Sequence, residues 1–251
     1  MPALRSFRAS YISLDALPSN IFPALRVLAL YRVNHCDCII LNSSHFLTSL
    51  MLASVLFQYT SESLEFPCLT FLSLFEVKNI KHRMNVPALT TYHESDRTEE
   101  ESFSMSLSSL IEYGILRLNE AQFFDVKKLH QCYPNISRLS LRAYPSAVKS
   151  FLHSLSSQPT ALPMLRILEV YGVMKYSGED KDSMKRDVSM RNMASSVNME
   201  LSFDGRVRIP LYFAYVRVYI NEGGRKLTSP LRSRIIPFDD LLFVLGLWLP
   251  C

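Results

Sequence analysis

Glycine is scarce in this chain: 7 residues in 251, against roughly 7% in an ordinary composition. The first is Gly114, so residues 1–113 contain none. That stretch can hold no dinucleotide-binding G-x-G-x-x-G turn, Walker loop or G-x-S-x-G elbow. Each of these needs glycine where backbone approaches a ligand or turns sharply. A disulfide framework is missing too: the five cysteines (Cys36, Cys38, Cys68, Cys132, Cys251) are odd in number and lack paired spacing. With no signal-peptide pattern at Met1, they read as reduced thiols of an intracellular protein, cytoplasmic or nuclear. The longest apolar run, residues 241–250, is ten residues and too short to span a bilayer. Charge is nearly balanced, 27 Lys+Arg against 23 Asp+Glu, which does not suggest nucleic acid. The expected molecule needs no cofactor and no metal, and it does not meet a membrane.

What the chain does have is a core-forming composition, 48% hydrophobic, and an internal repeat. Phe22-Pro23-Ala24-Leu25-Arg26-Val27-Leu28-Ala29-Leu30 returns as Phe66-Pro67-Cys68-Leu69-Thr70-Phe71-Leu72-Ser73-Leu74. It returns again as Tyr133-Pro134-Asn135-Ile136-Ser137-Arg138-Leu139-Ser140-Leu141 and as Leu162-Pro163-Met164-Leu165-Arg166-Ile167-Leu168-Glu169-Val170. Weaker copies start near Met1, His45, Val86 and Ile111, so the proline position recurs at 2, 23, 45, 67, 87, 111, 134 and 163. That spacing lies within the ~20–29 residue period of leucine-rich repeats, whose frame is L-x-x-L-x-L.

The last two leucines of the frame alternate with the residue between them, so they share one face of a short strand. A single repeat cannot cover them, but stacked neighbours bury each other's leucines in a continuous core. The expected fold class is α/β: a leucine-rich repeat solenoid whose curved parallel sheet carries helices and loops on its convex side. Residues before, between and after the inward leucines then face the concave side. They are Val27, Ala29, Tyr31; Ser49, Met51, Ala53; Phe71, Ser73, Phe75; Ile115, Arg117, Asn119; Arg138, Ser140, Arg142; and Ile167, Glu169, Tyr171. Tyrosine, phenylalanine and arginine are the types that anchor protein interfaces. The expected partner-binding set is therefore Tyr31, Phe71, Phe75, Arg117, Arg138, Arg142, Glu169 and Tyr171.

The array is expected over residues 1–174, with short helices at 43–56, 125–133 and 147–156. Residues 94–101, rich in Asp and Glu, read as a solvated loop. A β-containing cap is expected over 175–225: a loop, a helix through Met184 and Val188, and a hairpin with its turn at Asp204-Gly205. Residues 226–251 fit no repeat and read as a tail that need not be ordered.

No catalytic constellation stands out. His35-Cys36-Asp37-Cys38 has ligand-type side chains, but no second pair at finger-like spacing accompanies it, and its cysteines read as small buried hydrophobes. The histidines at 82, 93, 130 and 153 form no H-E-x-x-H pattern.

The four P-x-L-x-x-L-x-L segments resemble the degenerate leucine-rich repeats of fungal F-box-type proteins, over roughly residues 1–174. The resemblance implies a non-catalytic receptor that holds a ubiquitination substrate for a cullin-type ligase. An F-box is a helical module before the repeats, whereas Met1-Pro2-Ala3-Leu4 opens on a repeat. Direct docking to the ligase is accordingly not expected of these residues. Two alternatives stand beside this reading, a stand-alone repeat scaffold and a truncated, non-functional paralogue. A small metal-dependent hydrolase using His35 and its neighbours is a remote third.

Overall fold

The computed structural model describes residues 5–11, 24–33, 36–55, 63–77, 80–94, 107–118, 125–158, 160–172 and 176–203. They form an α/β structure around one large parallel sheet. Its strands are β1 (Ser6–Ser10), β2 (Val27–Tyr31), β3 (Ser49–Ala53), β5 (Phe71–Phe75), β7 (Thr91–Glu94), β8 (Glu112–Leu118), β9 (Arg138–Ala143), β10 (Ile167–Gly172) and β11 (Glu200–Ser202). These nine lie side by side in chain order, every pair parallel. Two short strands, β4 (Leu64–Glu65) and β6 (Met84–Asn85), pair separately between β3 and β7. The returns also carry helices α1 (Asp37–Ser43), α2 (Val126–Cys132), α3 (Pro145–Ser156) and α4 (Gly178–Ala194).

Register is set where each strand begins. The Arg26 carbonyl accepts the N–H groups of both Thr48 and Ser49; that of Thr48 accepts Thr70 and Phe71, and that of Thr70 accepts Thr90 and Thr91. The Thr90, Ile111 and Ser137 carbonyls repeat the arrangement one, two and three strands later. The Thr48, Thr70 and Thr90 hydroxyls donate to the same carbonyls at 3.0–3.1 Å, adding a side-chain rung on the exposed edge. Leu28, Leu50 and Leu72 therefore stand in line, as do Leu30, Leu52 and Leu74, and five of the six are fully buried, Leu74 being 2% exposed.

One copy of the repeat is framed differently from the sequence reading. Thr91 pairs with Glu112, and Tyr113 and Ile115 occupy the inward positions that Leu116 and Leu118 were expected to hold. Ile115, expected on the outer face, is in the core at 1% exposure. The frame begins three residues earlier because Leu110, not Tyr113, fills the buried turn position that Leu69 and Leu89 fill elsewhere. After Ile115 the β8–β9 register shifts, and Leu118 pairs with Ala143.

The helices expected at 125–133 and 147–156 correspond to α2 and α3. The helix placed at 43–56 lies earlier, as α1. Its end is closed by the Ser43 and Ser44 hydroxyls, which donate back to the Ile39 and Leu41 carbonyls, while Leu50 and Leu52 alternate as strand residues. In-register strand starts are 26 residues apart from Glu112 to Arg138, 29 to Ile167 and 33 to Glu200, and the intervening helices grow from 7 to 12 to 17 residues. Asp125 caps α2 by accepting from the Lys127 and Lys128 N–H groups. Ser177 and Asp180 form a reciprocal capping box on α4. The Asp180 carboxylate also meets Lys149 of α3 at 2.6 Å, and its pKa is held down to about 2, first by that contact and then by Ser177.

Beyond α4 only the first arm of the expected hairpin lies within the described residues. Residues 200–202 join the sheet as β11, parallel to β10; the second arm, the Asp204-Gly205 turn and the tail lie outside the described residues. Asn192 holds this strand in place by exchanging two hydrogen bonds with the Met199 backbone. Arg191, 1% exposed, donates to the Leu162 and Val197 carbonyls, and burial lowers its pKa.

Two features depart from a plain leucine core. Glu94 points into it and accepts from Lys81 Nζ at 2.5 Å, from the Tyr92 hydroxyl at 2.9 Å and from the Tyr113 hydroxyl. Lys81 and Glu94 are both about as buried as the leucines, and the Tyr92 hydroxyl is pushed well above its ordinary pKa, first by burial and then by the Glu94 charge. Separately, Tyr11, Arg32, Ser54 and Glu76 follow the ends of β1, β2, β3 and β5 in left-handed conformation, φ 48–55°. The N–H groups of Tyr11, Arg32 and Ser54 each donate to the last carbonyl of the next strand.

Two tests follow from these features. Lys81→Met should cost ~3–5 kcal/mol in denaturant unfolding, because it strands a buried carboxylate. Adding Glu94→Gln should restore part of that, since the neutral amide removes the buried charge, its oxygen accepting from one tyrosine hydroxyl and its nitrogen donating to the other. At the strand exits, Ser54→Gly should hold or raise stability, whereas Ser54→Val should cost ~1–2 kcal/mol through its left-handed backbone.

Candidate functional site

The sheet has two faces, and the core takes one of them. Leu28, Leu50, Leu72, Tyr92, Tyr113, Leu139 and Leu168 line the core side together with the buried apolar residues of all four helices. Alternation sends the residues between them to the other side. In register, the first row of that face reads Ser6, Val27, Ser49, Phe71, Thr91, Glu112, Arg138, Ile167 and Glu200. The second reads Arg8, Ala29, Met51, Ser73, His93, Gly114, Ser140, Glu169 and Ser202. A third row holds Ser10, Tyr31, Ala53 and Phe75, and Arg142 beside Tyr171.

Seven of the eight expected residues thus share this face: Tyr31, Phe71, Phe75, Arg138, Arg142, Glu169 and Tyr171. The eighth, Arg117, lies in β8 within the register irregularity that follows Ile115, and its side chain is outside the described residues, as is Asn119. The face is apolar and aromatic toward β2–β5 and charged toward β8–β10.

At its centre sits a group the sequence reading passed over. The His93 ring meets Phe71 edge-on, centroids 5.6 Å apart, and its Nε2 lies 3.4 Å from Glu112 Oε1. Gly114 makes room for it, because a Cβ there would fall 2.7 Å from His93 Cδ2. Glu112 stays ionised to lower pH than usual, first through the His93 hydrogen bond and further through the charges of His93 and Arg138, with burial opposing. Its folded pKa is depressed, so the contact contributes stability above the ordinary carboxylate pKa and loses it as pH falls through the folded value. Two strands on, Glu169 accepts from the Ser140 hydroxyl at 2.9 Å and the Tyr171 hydroxyl at 3.0 Å. The signal for His93 was present, since Tyr92 holds an inward position of the frame; Glu112 follows only from the pairing with β7 that turns Tyr113 inward.

At the β1–β2 end, Tyr11 and Tyr31 make a T-shaped pair with centroids 5.1 Å apart. The Arg32 guanidinium lies 5.7 and 5.5 Å from their ring centres. Burial, and then the Tyr11 hydrogen bond, raise the Tyr31 hydroxyl pKa above its ordinary range.

Of the ligand-like run at 35–38, Cys36 is fully buried in the core, its thiol pushed up to about 12 by burial and then by the Asp37 charge. His35 and the Cys38 side chain lie outside the described residues. Among the described residues no three His, Cys, Asp or Glu side chains are grouped to hold a metal ion. Nor is any described helix long and apolar enough to cross a membrane.

Gly114→Ala should push the imidazole off Glu112, raising the Glu112 pKa toward its ordinary value in an NMR titration and costing roughly 1 kcal/mol of stability near neutral pH. No family model, no curated protein and no solved structure matches this chain.

Proposed function

We propose that this chain is a non-catalytic protein-binding module. In this reading its strands form the inner wall of a leucine-rich repeat solenoid of the F-box-associated kind. One observation carries the proposal: a whole sheet face is left out of the core cluster, and it presents aromatic residues at one end and charged residues at the other. Interfaces are built from such a mixture, with aromatic and arginine anchors inside a polar rim. The Glu112–His93 and Ser140–Glu169–Tyr171 contacts hold their side chains in defined positions, which lowers the entropy lost when a partner docks. The resemblance to F-box-type receptors extends the proposal, the bound protein then being a ubiquitination substrate.

Affinity capture with the full chain from its own cells should recover a defined partner. Arg138→Ala and Arg142→Ala, both at part-exposed positions, should each weaken a purified complex by about 2 kcal/mol or more, roughly thirtyfold, with little change in the melting curve. Wild-type affinity in both variants would remove this face as the binding site. The ligase extension predicts that the captured protein lives longer when the chain is deleted; an unchanged half-life would refute it.

A further inference from the structure

Residues 107–118 can be laid against the repeat frame in two ways. Leu110-x-x-Tyr113-x-Ile115 matches it, and so, three residues on, does Tyr113-x-x-Leu116-x-Leu118. The copies at Pro23, Pro67, Pro87, Pro134 and Pro163 mark their frame with a proline two residues before the turn position. Here that position falls on Ser108 in one frame and on Ile111 in the other, so nothing local chooses between them. Nor does apolar burial favour the frame that forms. It leaves Ile111 52% exposed and carries a tyrosine hydroxyl into the core, where the other frame offers two leucines.

What separates the two frames is an acceptor displayed by the preceding repeat. Glu94 ends β7 inside the core, and its Oε2 accepts from Lys81, in the return before β7, and from Tyr92 on β7 itself. Its Oε1 accepts from the Tyr113 hydroxyl on β8. In the observed pairing Tyr113 stands beside Tyr92 and Ile115 beside Glu94. A shift of three residues would set Leu116 beside Tyr92 and Leu118 beside Glu94, and neither side chain can donate. Tyr113 itself would stand beside Leu89, five positions short of Glu94 and out of its reach. A carboxylate oxygen buried without a donor is among the costliest groups in a protein interior.

We propose that the buried Lys81–Glu94–Tyr92 group selects the register of β8: by requiring a hydroxyl beside Tyr92, it holds Tyr113 inward and rejects the competing leucine frame. Buried polar groups can fix register in this way at a cost in stability. Lys81, Glu94 and Tyr113 are then positioning residues for the outer face. The selected frame puts Glu112 beside Arg138 and Gly114 against the His93 ring. The competing frame would put Ile115 and Arg117 in those two places, removing a carboxylate and adding a guanidinium. The selection does not depend on whether that face binds a protein.

The selector can be removed from the full chain without stranding a charge, by combining Lys81→Met with Glu94→Leu. The folded product should carry β8 in the other frame. Ile115→Cys serves as the probe, read by maleimide labelling and mass spectrometry at residue 115. In the otherwise native chain, where Ile115 is 1% exposed, the probe should be protected. In the selector variant it should react roughly tenfold faster or more. Glu112 should lose its His93 contact at the same time, its carboxyl pKa returning toward the ordinary value in an NMR titration. Removing the competing leucines as well, with Leu116→Ser and Leu118→Ser, should restore protection, which a mere loss of packing would not allow. Tyr113→Phe keeps the Lys81–Glu94 pair; it should raise labelling in the same direction and serves if the double variant does not fold. A folded selector variant, or a folded Tyr113→Phe chain in its place, that protects residue 115 as the native chain does would overturn the proposal. Fast labelling that the serine pair leaves unchanged would overturn it too. Partner affinity enters neither reading, so failure here leaves the protein-binding proposal standing, and loss of partner binding leaves this one standing.

Discussion

The structure depends on one hydrogen-bond arrangement, the carbonyl at each strand entry that takes two N–H groups from the next strand. Arg26, Thr48, Thr70, Thr90, Ile111 and Ser137 all play this part. Because side chains alternate along a strand, a slip of one residue would send every leucine to the wrong face. With register held, leucines from residues far apart in sequence stack into a single core, and the intervening residues assemble into a second surface. The return segments are free to vary behind this ladder. They range from the short α1 to the 17-residue α4 without disturbing the pairing.

Where the core gives up leucine, it does so as a set. Tyr92 and Tyr113 take leucine positions in adjacent strands and stack at 5.7 Å, and their hydroxyls need an acceptor in a dry interior. Glu94 supplies it, and Lys81 balances the charge. This mid-array group also has consequences outside, because tyrosines turned inward place His93 and Glu112 on the outer face. Gly114 then matters through the Cβ it lacks, and the first glycine in the chain stands where an imidazole needs the space.

The scarcity of glycine also shows in the backbone. Tyr11, Arg32, Ser54 and Glu76 adopt the left-handed conformation that glycine adopts most easily. Each accepts strain, and each carries a side chain that glycine would lack. Arg32 lies against two tyrosine rings, and Ser54 donates to Glu76 at 2.7 Å. The row of strand exits thus becomes a line of side-chain contacts along one edge of the sheet.

Much of this was legible in the sequence. Residues that recur every 20 to 29 positions with alternating leucines define strands, and Leu28, Leu50, Leu72, Leu139 and Leu168 could be placed inside from that pattern alone. Seven of the eight residues proposed for the outer face followed from the same alternation. The frame near Ile111 was misread because Leu116 and Leu118 imitate the leucine pair; Tyr113 and Ile115 were chosen instead by pairing with β7 and β9, which no local pattern reveals. The parallel pairing of residues 200–202 with β10 was equally hidden, since nothing local tells a three-residue strand which sheet edge it joins. By itself the sequence determined the period, the strands and the alternation, because those are local periodicities of side-chain size and polarity. The tertiary structure alone decided the register of the irregular copy, the Lys81–Glu94–tyrosine network and the His93–Glu112 contact, because each depends on atoms brought together from different strands and returns.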